Sequence, residues 1–442
     1  LIKVVKPGDN GLSEILANRS LDLDRVDEQV KEIIKEVKTG GDDGLCAVTA
    51  RLDGVEIAPA DLLVSQEEIK EAYQAVNKDF IVALRQAAEN IQNFHRRQLR
   101  NSWFDPRSDG VILGQIVTPL RRVGIYVPGG KASYPSSVLM NALPASVAGV
   151  KEIVMVTPPG KDGSVNPHTL VAAAEAGVTE IYRVGGAQAI AALAYGTETI
   201  AAVEKITGPG NIYVTAAKRQ FFGTVDIDML AGPSEVLIIA DGTARPEFVA
   251  ADMLAQAEHD EMASAILVTN DNELASMVKS ELAQQIKELS RREIAEKSII
   301  ERGAIIITEK LEDCIQIANG YAPEHLELQI SEPYRWLGSI KNAGAVFIGA
   351  YSPEPVGDYF AGPNHVLPTG GTAKFFSPLN VDTFMKKTSL IDYSRQALQK
   401  EGRQIMALAA TEGLDAHAKA VGIRLEPGKT GPGREGGKLN DK

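Results

Sequence analysis

The chain has 442 residues, of which 44% are hydrophobic and 24% charged, and a formal net charge of −12. That length suits two to four domains of about 100–200 residues each, and the composition is that of a globular protein with a large core. The acid excess and the lack of a long Lys/Arg block exclude a nucleic-acid stripe, and no apolar run reaches the ~18 residues of a membrane helix.

Residues 1–20 read as a short arm, and Leu1 to Pro7 lack the apolar stretch of a secretory leader. Residues 21–105 read as helix. Val26, Val30, Ile33, Ile34 and Val37 recur at helical spacing, Gly40-Gly41-Asp42-Asp43-Gly44 closes the first helix, and the pattern resumes from Ile69 to Arg100. Cys46 and Cys314 match neither a Cys-x-x-Cys nor a zinc-ribbon spacing. Reduced thiols and a cytoplasmic location are the expectation.

From about residue 111 short β-rich runs alternate with Ala-rich helices. Strands are expected at Val111–Val117, Arg122–Val127, Ile153–Thr157 and Glu180–Val184, with helices at Leu170–Ala176, Ala187–Tyr195 and Ile212–Phe221. A second series has strands at Glu235–Ala240, Ala265–Thr269, Ala304–Thr308 and Gly344–Ile348. Its helices are Pro246–Ala257, one long charged helix over Glu273–Lys297, and Leu311–Asn319. The alternation predicts an α/β protein with two open parallel-sheet units. They span 122–232 and 233–378, with the N-terminal helices packing on the second, so that 21–121 joins 233–378 in one domain. Residues 379–425 read as a small helical module. Residues 426–442 read as a Gly- and Lys-rich disordered tail.

Six histidines serve the whole chain, and four of them stand beside carboxylates or amides. Gln256 and His259 are three apart at a helix end, on one face; His259 alone could equally be a helix-end charge. Asp358 lies in a Gly- and Pro-punctuated loop before Pro363-Asn364-His365, and loops at the carboxyl ends of strands build ligand sites in open α/β sheets. Alone, Asp358 would cap a turn. His417 follows Glu412 by five residues in the last module. Together Gln256, His259, Asp358 and His417 form a mixed nitrogen and oxygen set suited to a borderline cation such as Zn²⁺. Glu324-His325 follows Pro323 in a loop and offers two bases of different strength, although Pro-Glu-His-Leu-Glu also reads as a helix start.

Three glycine turns, Val127-Pro128-Gly129-Gly130, Gly185-Gly186-Ala187-Gln188 and Thr207-Gly208-Pro209-Gly210-Asn211, would let backbone N–H groups approach an anion. None is Gly-x-Gly-x-x-Gly, and each is also readable as a plain tight turn.

Seven segments in order resemble the histidinol dehydrogenase family. They are Gly124-Ile125-Tyr126-Val127-Pro128-Gly129-Gly130, Val184-Gly185-Gly186-Ala187-Gln188-Ala189-Ile190, Gly208-Pro209-Gly210-Asn211, Ala231-Gly232-Pro233-Ser234-Glu235, Leu254-Ala255-Gln256-Ala257-Glu258-His259, Ala322-Pro323-Glu324-His325-Leu326-Glu327 and Gly362-Pro363-Asn364-His365-Val366-Leu367-Pro368-Thr369. The resemblance runs from about residue 20 to 425. It implies two incomplete Rossmann-like units and oxidation of L-histidinol to L-histidine through the aldehyde with two NAD⁺. It also implies a homodimer whose C-terminal module reaches the partner's site.

One zinc per subunit would be held by Gln256, His259, Asp358 and His417. His325 would be the general base, and Glu324 would activate the water that hydrates the aldehyde. Ser234, His365 and Glu412 would position the substrate, and Tyr126, Gln188 and Asn211 would contact NAD. Two other readings remain at this stage: an NAD-dependent dehydrogenase of another small amino alcohol or sulfonated diol, and a zinc metallohydrolase. A non-catalytic metal-binding module is a third.

Overall fold

The computed structural model describes residues 2–9, 15, 19, 22–129 and 133–426. Most of the expected N-terminal arm, Gly130 of the first glycine turn and residues 427–442 of the expected tail lie outside the described residues. The chain divides into two compact units, residues 1–99 with 119–385 and residues 100–118 with 386–442. No described helix is long and apolar enough to cross a membrane.

The strands are β1 (Lys3–Val5), β2 (Trp103–Pro106), β3 (Ile112–Pro119), β4 (Arg122–Tyr126), β5 (Glu152–Val156), β6 (Glu180–Tyr182), β7 (Lys205–Thr207), β8 (Asp226–Ile227), β9 (Glu235–Ala240), β10 (Ser264–Thr269), β11 (Ala304–Ile307), β12 (His325–Gln329), β13 (Ala345–Ile348) and β14 (Met385–Asp392). The first unit holds two parallel sheets, as the βα alternation predicts. One has five strands in the order β6-β5-β4-β7-β8, the other six in the order β1-β11-β10-β9-β12-β13. Every residue of β4, β9, β10 and β12 is buried. Parallel strands covered on both faces are buried in this way, and β9 and β10 carry the expected apolar runs, whereas β12 alternates polar His325, Glu327 and Gln329 with Leu326 and Leu328.

The N-terminal helices Asp27–Asp53, Gln66–Ala75 and Lys78–Arg96 pack mainly on the five-stranded sheet's helices, and the last also touches the later segment where Asn90 Nδ2 donates to the Phe360 carbonyl at 2.9 Å. This corrects the expected packing. The stripe Val30, Ile33, Val37, Leu45 and Val48 meets Ala189, Ile190, Ala192 and Leu193 of the helix Gly186–Tyr195. Its alanines let the two helices approach closely. The predicted break at Gly40–Gly44 is a kink at Gly41 (φ 55°), where the Glu198 carboxylate accepts from Asp42 N–H at 2.7 Å.

Four further expectations change. The long helix over 273–297 is two helices, Asn272–Gln285 and Arg292–Glu301, split by a 3₁₀ turn at Ile286–Glu288. No Gly or Pro breaks it. Ile286 and Leu289 are drawn into the core around the helix Pro246–Ala257, and tertiary packing overrides helix propensity. Pro323 and Glu324 lie in a short loop, as expected, but His325 opens the buried strand β12, so the segment is not a helix start. Asp358 sits on the short helix Glu354–Tyr359, not in a loop. A helix at Pro135–Ala148 was not anticipated. The second unit has a three-stranded sheet, β14-β3-β2, before its helices Arg395–Thr411 and Asp415–Leu425. The C-terminal segment is therefore α-helical only after β14, with a single 3₁₀ turn at Val381–Phe384 before it.

Cys46 and Cys314 are unpaired, and burial pushes both thiols up to about 11. His95 is fully buried, with Nδ1 2.8 Å from Gln98 Oε1. Burial holds its pKa below the ordinary histidine value. The unfolded chain protonates this group near pH 6.5 and the folded chain only at lower pH, so its stability contribution is present above pH 6.5 and lost as pH falls. Urea unfolding from pH 7 to 5 should show a shallower loss of stability in His95→Leu, the difference in slope being at most about 1.4 kcal/mol per pH unit. Equal slopes would contradict this account.

Candidate active site

The site is built at the amino-terminal edge of the six-stranded sheet. The helix Leu311–Tyr321 ends at Ala322, whose φ of 53° is left-handed, a conformation that costs a non-glycine residue about 1–2 kcal/mol. This reversal delivers Pro323 and Glu324 to the start of β12. His325, its first residue, pairs with Val236 of β9 on one side and Ala345 of β13 on the other. The helix Pro246–Ala257 ends beside it, with Gln256 in its last turn and His259 in the turn after. Sequence reasoning expected loops at carboxyl ends of strands around Asp358. Here the residues converge on strand starts instead.

His325 is 3% exposed, and its Nδ1 lies 3.1 Å from the Glu235 carbonyl oxygen and 3.1 Å from Gln256 Oε1. A carbonyl only accepts, so Nδ1 carries the proton and Nε2 keeps its lone pair. Nε2 is buried without a hydrogen-bond partner, 3.9 Å from Asp358 Oδ1. Burial depresses the imidazole pKa to about 3. The Glu235 carbonyl opposes this, and the charges of His259 and His365 add to it. The ring is a neutral base at pH 7.

Glu324 Oε2 accepts from Glu235 N–H at 2.9 Å and lies 3.7 Å from His325 Nδ1. Burial raises its pKa well above the carboxylate range, the Glu235 N–H opposes, and the charges of Glu235 and Asp358 raise it further. Asp358 is raised to about 6 by burial, with His259 opposing. His365 Nδ1 is 3.0 Å from the Asp358 carbonyl oxygen and its Nε2 3.5 Å from Ser137 Oγ. Burial lowers its pKa to about 4. Ser234 immediately precedes β9, and its carbonyl accepts from Ser264 N–H at 3.0 Å.

His259, Glu354 and Asp358 each offer a ligand atom within 4.8 Å of the others, the one such cluster among the described residues. Two of the three were expected. Glu354 was missed, although it is four residues before Asp358 and shares its helix face; reading that stretch as a loop hid the spacing. Glu354 is 2% exposed and lies 4.0 Å from His259 Nε2 and 3.7 Å from His325 Nδ1. Burial raises its pKa first, then the charges of Asp358, Glu324, Glu327 and Asp252. Buried carboxylates this close need shared protons or a cation. Gln256 is fully buried, its oxygen retains a second lone pair and its Nε2 is unpartnered. The residues present fit a divalent cation of borderline character.

A cavity of about 570 Å³ opens beside these groups, lined by His325, Phe347, Asp358, His365 and Leu367 among others. Tyr126, Gln188 and Asn211 lie elsewhere, at the carboxyl edge of the five-stranded sheet. Tyr126 ends β4, and its hydroxyl accepts from Gly186 N–H at 3.2 Å. Gln188 donates from Nε2 to Asp53 Oδ2 at 3.0 Å, and its buried Oε1 has no partner. Asn211 caps the helix Ile212–Phe221. Gly208 (φ 109°) is a required glycine, since a Cβ there would stand 2.1 Å from the Tyr126 carbonyl. In the second unit, Glu412 caps the end of Arg395–Thr411 and His417 lies in the first turn of Asp415–Leu425; both are exposed.

A family model described as histidinol dehydrogenase matches residues 16–425. The histidinol dehydrogenase of Heliobacterium mobile is 57% identical, covering 93% of this chain and 96% of that protein. That of Bacillus subtilis (strain 168) is 54% identical, covering 94% and 97%. The crystal structure of histidinol dehydrogenase from Elizabethkingia anophelis matches with a TM-score of 0.91 at 38% identity, over 96% of this chain and 98% of that one.

The acid and histidine cluster generates its own test. Adding Zn²⁺ or Co²⁺ to metal-free protein should raise the melting temperature, and His259→Ala or Asp358→Asn should abolish the shift. A full shift in both variants would show that the cation binds elsewhere.

Proposed function

Because the chain belongs to the histidinol dehydrogenase family, we propose that it is an NAD-dependent oxidoreductase that converts L-histidinol to L-histidine in histidine biosynthesis. In this reading it passes through the aldehyde, uses two NAD⁺ and binds one zinc per subunit. The observation that carries the assignment is the lone pair of His325 Nε2, buried, unpartnered and 3.9 Å from a carboxylate of the cation cluster.

When bound, zinc would orient the substrate's amine and imidazole, and NAD⁺ would take hydride from the reacting carbon. Gln256, His259 and Asp358 would hold the metal, together with His417. His325 takes the hydroxyl proton on Nε2 while its Nδ1–H stays on the Glu235 carbonyl, so the ring does not turn between steps. Glu324 takes a proton from the water that adds to the aldehyde. Its burial raises its pKa well above the usual carboxylate range, which makes the carboxylate a stronger base. Ser234 and His365 position the substrate. Glu412 and His417 would be supplied by the C-terminal module of a partner subunit in a homodimer, in keeping with their exposure here. Tyr126, Gln188 and Asn211 would line the NAD site, at the sheet edge where open α/β sheets take nucleotides. A cytoplasmic location fits the unpaired cysteines.

The deciding experiment is the NADH yield per L-histidinol, with chelation and zinc add-back. Two NADH, lost on chelation and restored by zinc, are expected; no NADH from zinc-loaded protein would send the assignment to another alcohol. Glu324→Gln should slow histidinal oxidation by about 100-fold or more, and histidinol oxidation much less. Equal slowing of both steps would remove the separate role of Glu324.

A further inference from the structure

We propose that Asp252, Glu327 and Gln329 are positioning residues, a buried polar clamp that joins the helix Pro246–Ala257, strand β12 and the helix Glu354–Tyr359 and so sets the spacing of Gln256, His325 and Asp358. None of the three belongs to the site described above. What the clamp positions rests on the metal-site reading; its existence rests on hydrogen bonds.

His325, Glu327 and Gln329 are alternate residues of one strand and share a face. Asp252 and Gln256 are one helical turn apart on the helix packed against that face. Two rungs join them. The His325 Nδ1–H is shared between the Glu235 carbonyl and Gln256 Oε1, each at 3.1 Å, and Gln329 Nε2 donates to Asp252 Oδ2 at 2.7 Å. Glu327 stands between the rungs. Its Oε2 accepts from Gln329 Nε2 at 2.9 Å, and its Oε1 accepts from the Glu354 N–H at 3.3 Å. Glu327 is 1%, Gln329 5% and Asp252 8% exposed. Burial raises the pKa of both the Asp252 and the Glu327 carboxyl groups, and the Asp252 charge raises that of Glu327 further.

Polar groups this deep are costly, and an apolar interior of the same shape would be at least as stable. What they add is direction, because each bond holds one element at one register. The six-residue helix Glu354–Tyr359 needs this most. It is too short to hold itself in place, and its first N–H is anchored by Glu327, one turn before Asp358.

The test compares Glu327→Leu, which removes the acceptor for Glu354 N–H, with Glu327→Gln, which keeps one, in the full-length chain. Two readouts are followed: hydrogen exchange over residues 354–359 in metal-free protein, and the rate at which zinc-loaded protein gives up Zn²⁺ to a chelator. Glu327→Leu should accelerate both by about 10-fold or more, and Glu327→Gln should restore both to within about threefold of the parent chain. Exchange at the parent rate in Glu327→Leu overturns the clamp. Equal acceleration in both variants, or acceleration spread over the whole unit, also overturns it. If Glu327→Leu does not fold, Asp252→Ala against Asp252→Asn applies the same criteria to the second rung. A parent chain that binds no Zn²⁺ would sink the metal reading and leave the exchange arm to judge the clamp.

Discussion

The hydrogen bond from His325 Nδ1 to the main-chain carbonyl of Glu235 governs what the rest of the site can do. It is a contact between the starts of two adjacent parallel strands, so it is set by strand register and not by a flexible side chain. It keeps the ring proton on Nδ1 and leaves the Nε2 lone pair free. The same two strand starts carry the Glu235 N–H that holds Glu324. One strand pairing therefore orients both proposed bases, and the Arg19–Glu235 ion pair, with Arg19 stacked 3.4 Å over the Tyr321 ring, fixes the outer side of that pairing.

Around this bond the protein gathers more buried carboxylates than it neutralises with hydrogen bonds. Glu324, Glu327, Glu354 and Asp358 all have raised pKa values, and burial is the first cause in each case. Interiors seldom collect unpaired acid groups unless a cation or shared protons offset the cost. The cluster divides accordingly. Glu327 and Asp252 both accept from Gln329 Nε2, while Glu354 and Asp358 stand against His259 where a metal would sit.

Much of this was legible in the sequence, for identifiable reasons. The strands of the two sheets are apolar runs between glycine-marked turns, and β9, the helix Pro246–Ala257 and the helix Ile212–Phe221 fall where periodicity places them. Gln256, His259, Asp358 and His325 were legible as chemistry because of their residue types and motif order. What stayed hidden was geometry. Glu324-His325-Leu326-Glu327 looks like a helix start, and only the partners β9 and β13 make the stretch from His325 onward a strand. Glu354 went unseen because a Pro- and Gly-rich stretch reads as loop. The N-terminal helices have an apolar stripe that names no partner, and the alanine face that receives it lies more than a hundred residues away. Asp252, Glu327 and Gln329 carry no motif; they become a unit only when strand and helix are packed.

The placement of the two regions on opposite ends of their sheets has an electrostatic meaning. The amino edge of a parallel sheet collects helix C-termini, and the carboxyl edge collects helix N-termini. The helix Pro246–Ala257 turns its carbonyl end towards the His259–Glu354–Asp358 cluster, and Leu311–Tyr321 does the same towards Glu324. The helices Gly186–Tyr195 and Ile212–Phe221 present their N–H ends beside Tyr126, Gln188 and Asn211. Aligned peptide dipoles amount to about half a negative charge at one end and half a positive charge at the other. The backbone alone thus makes the first edge receptive to a cation and the second to phosphate groups. That sorting precedes any choice of ligand side chain.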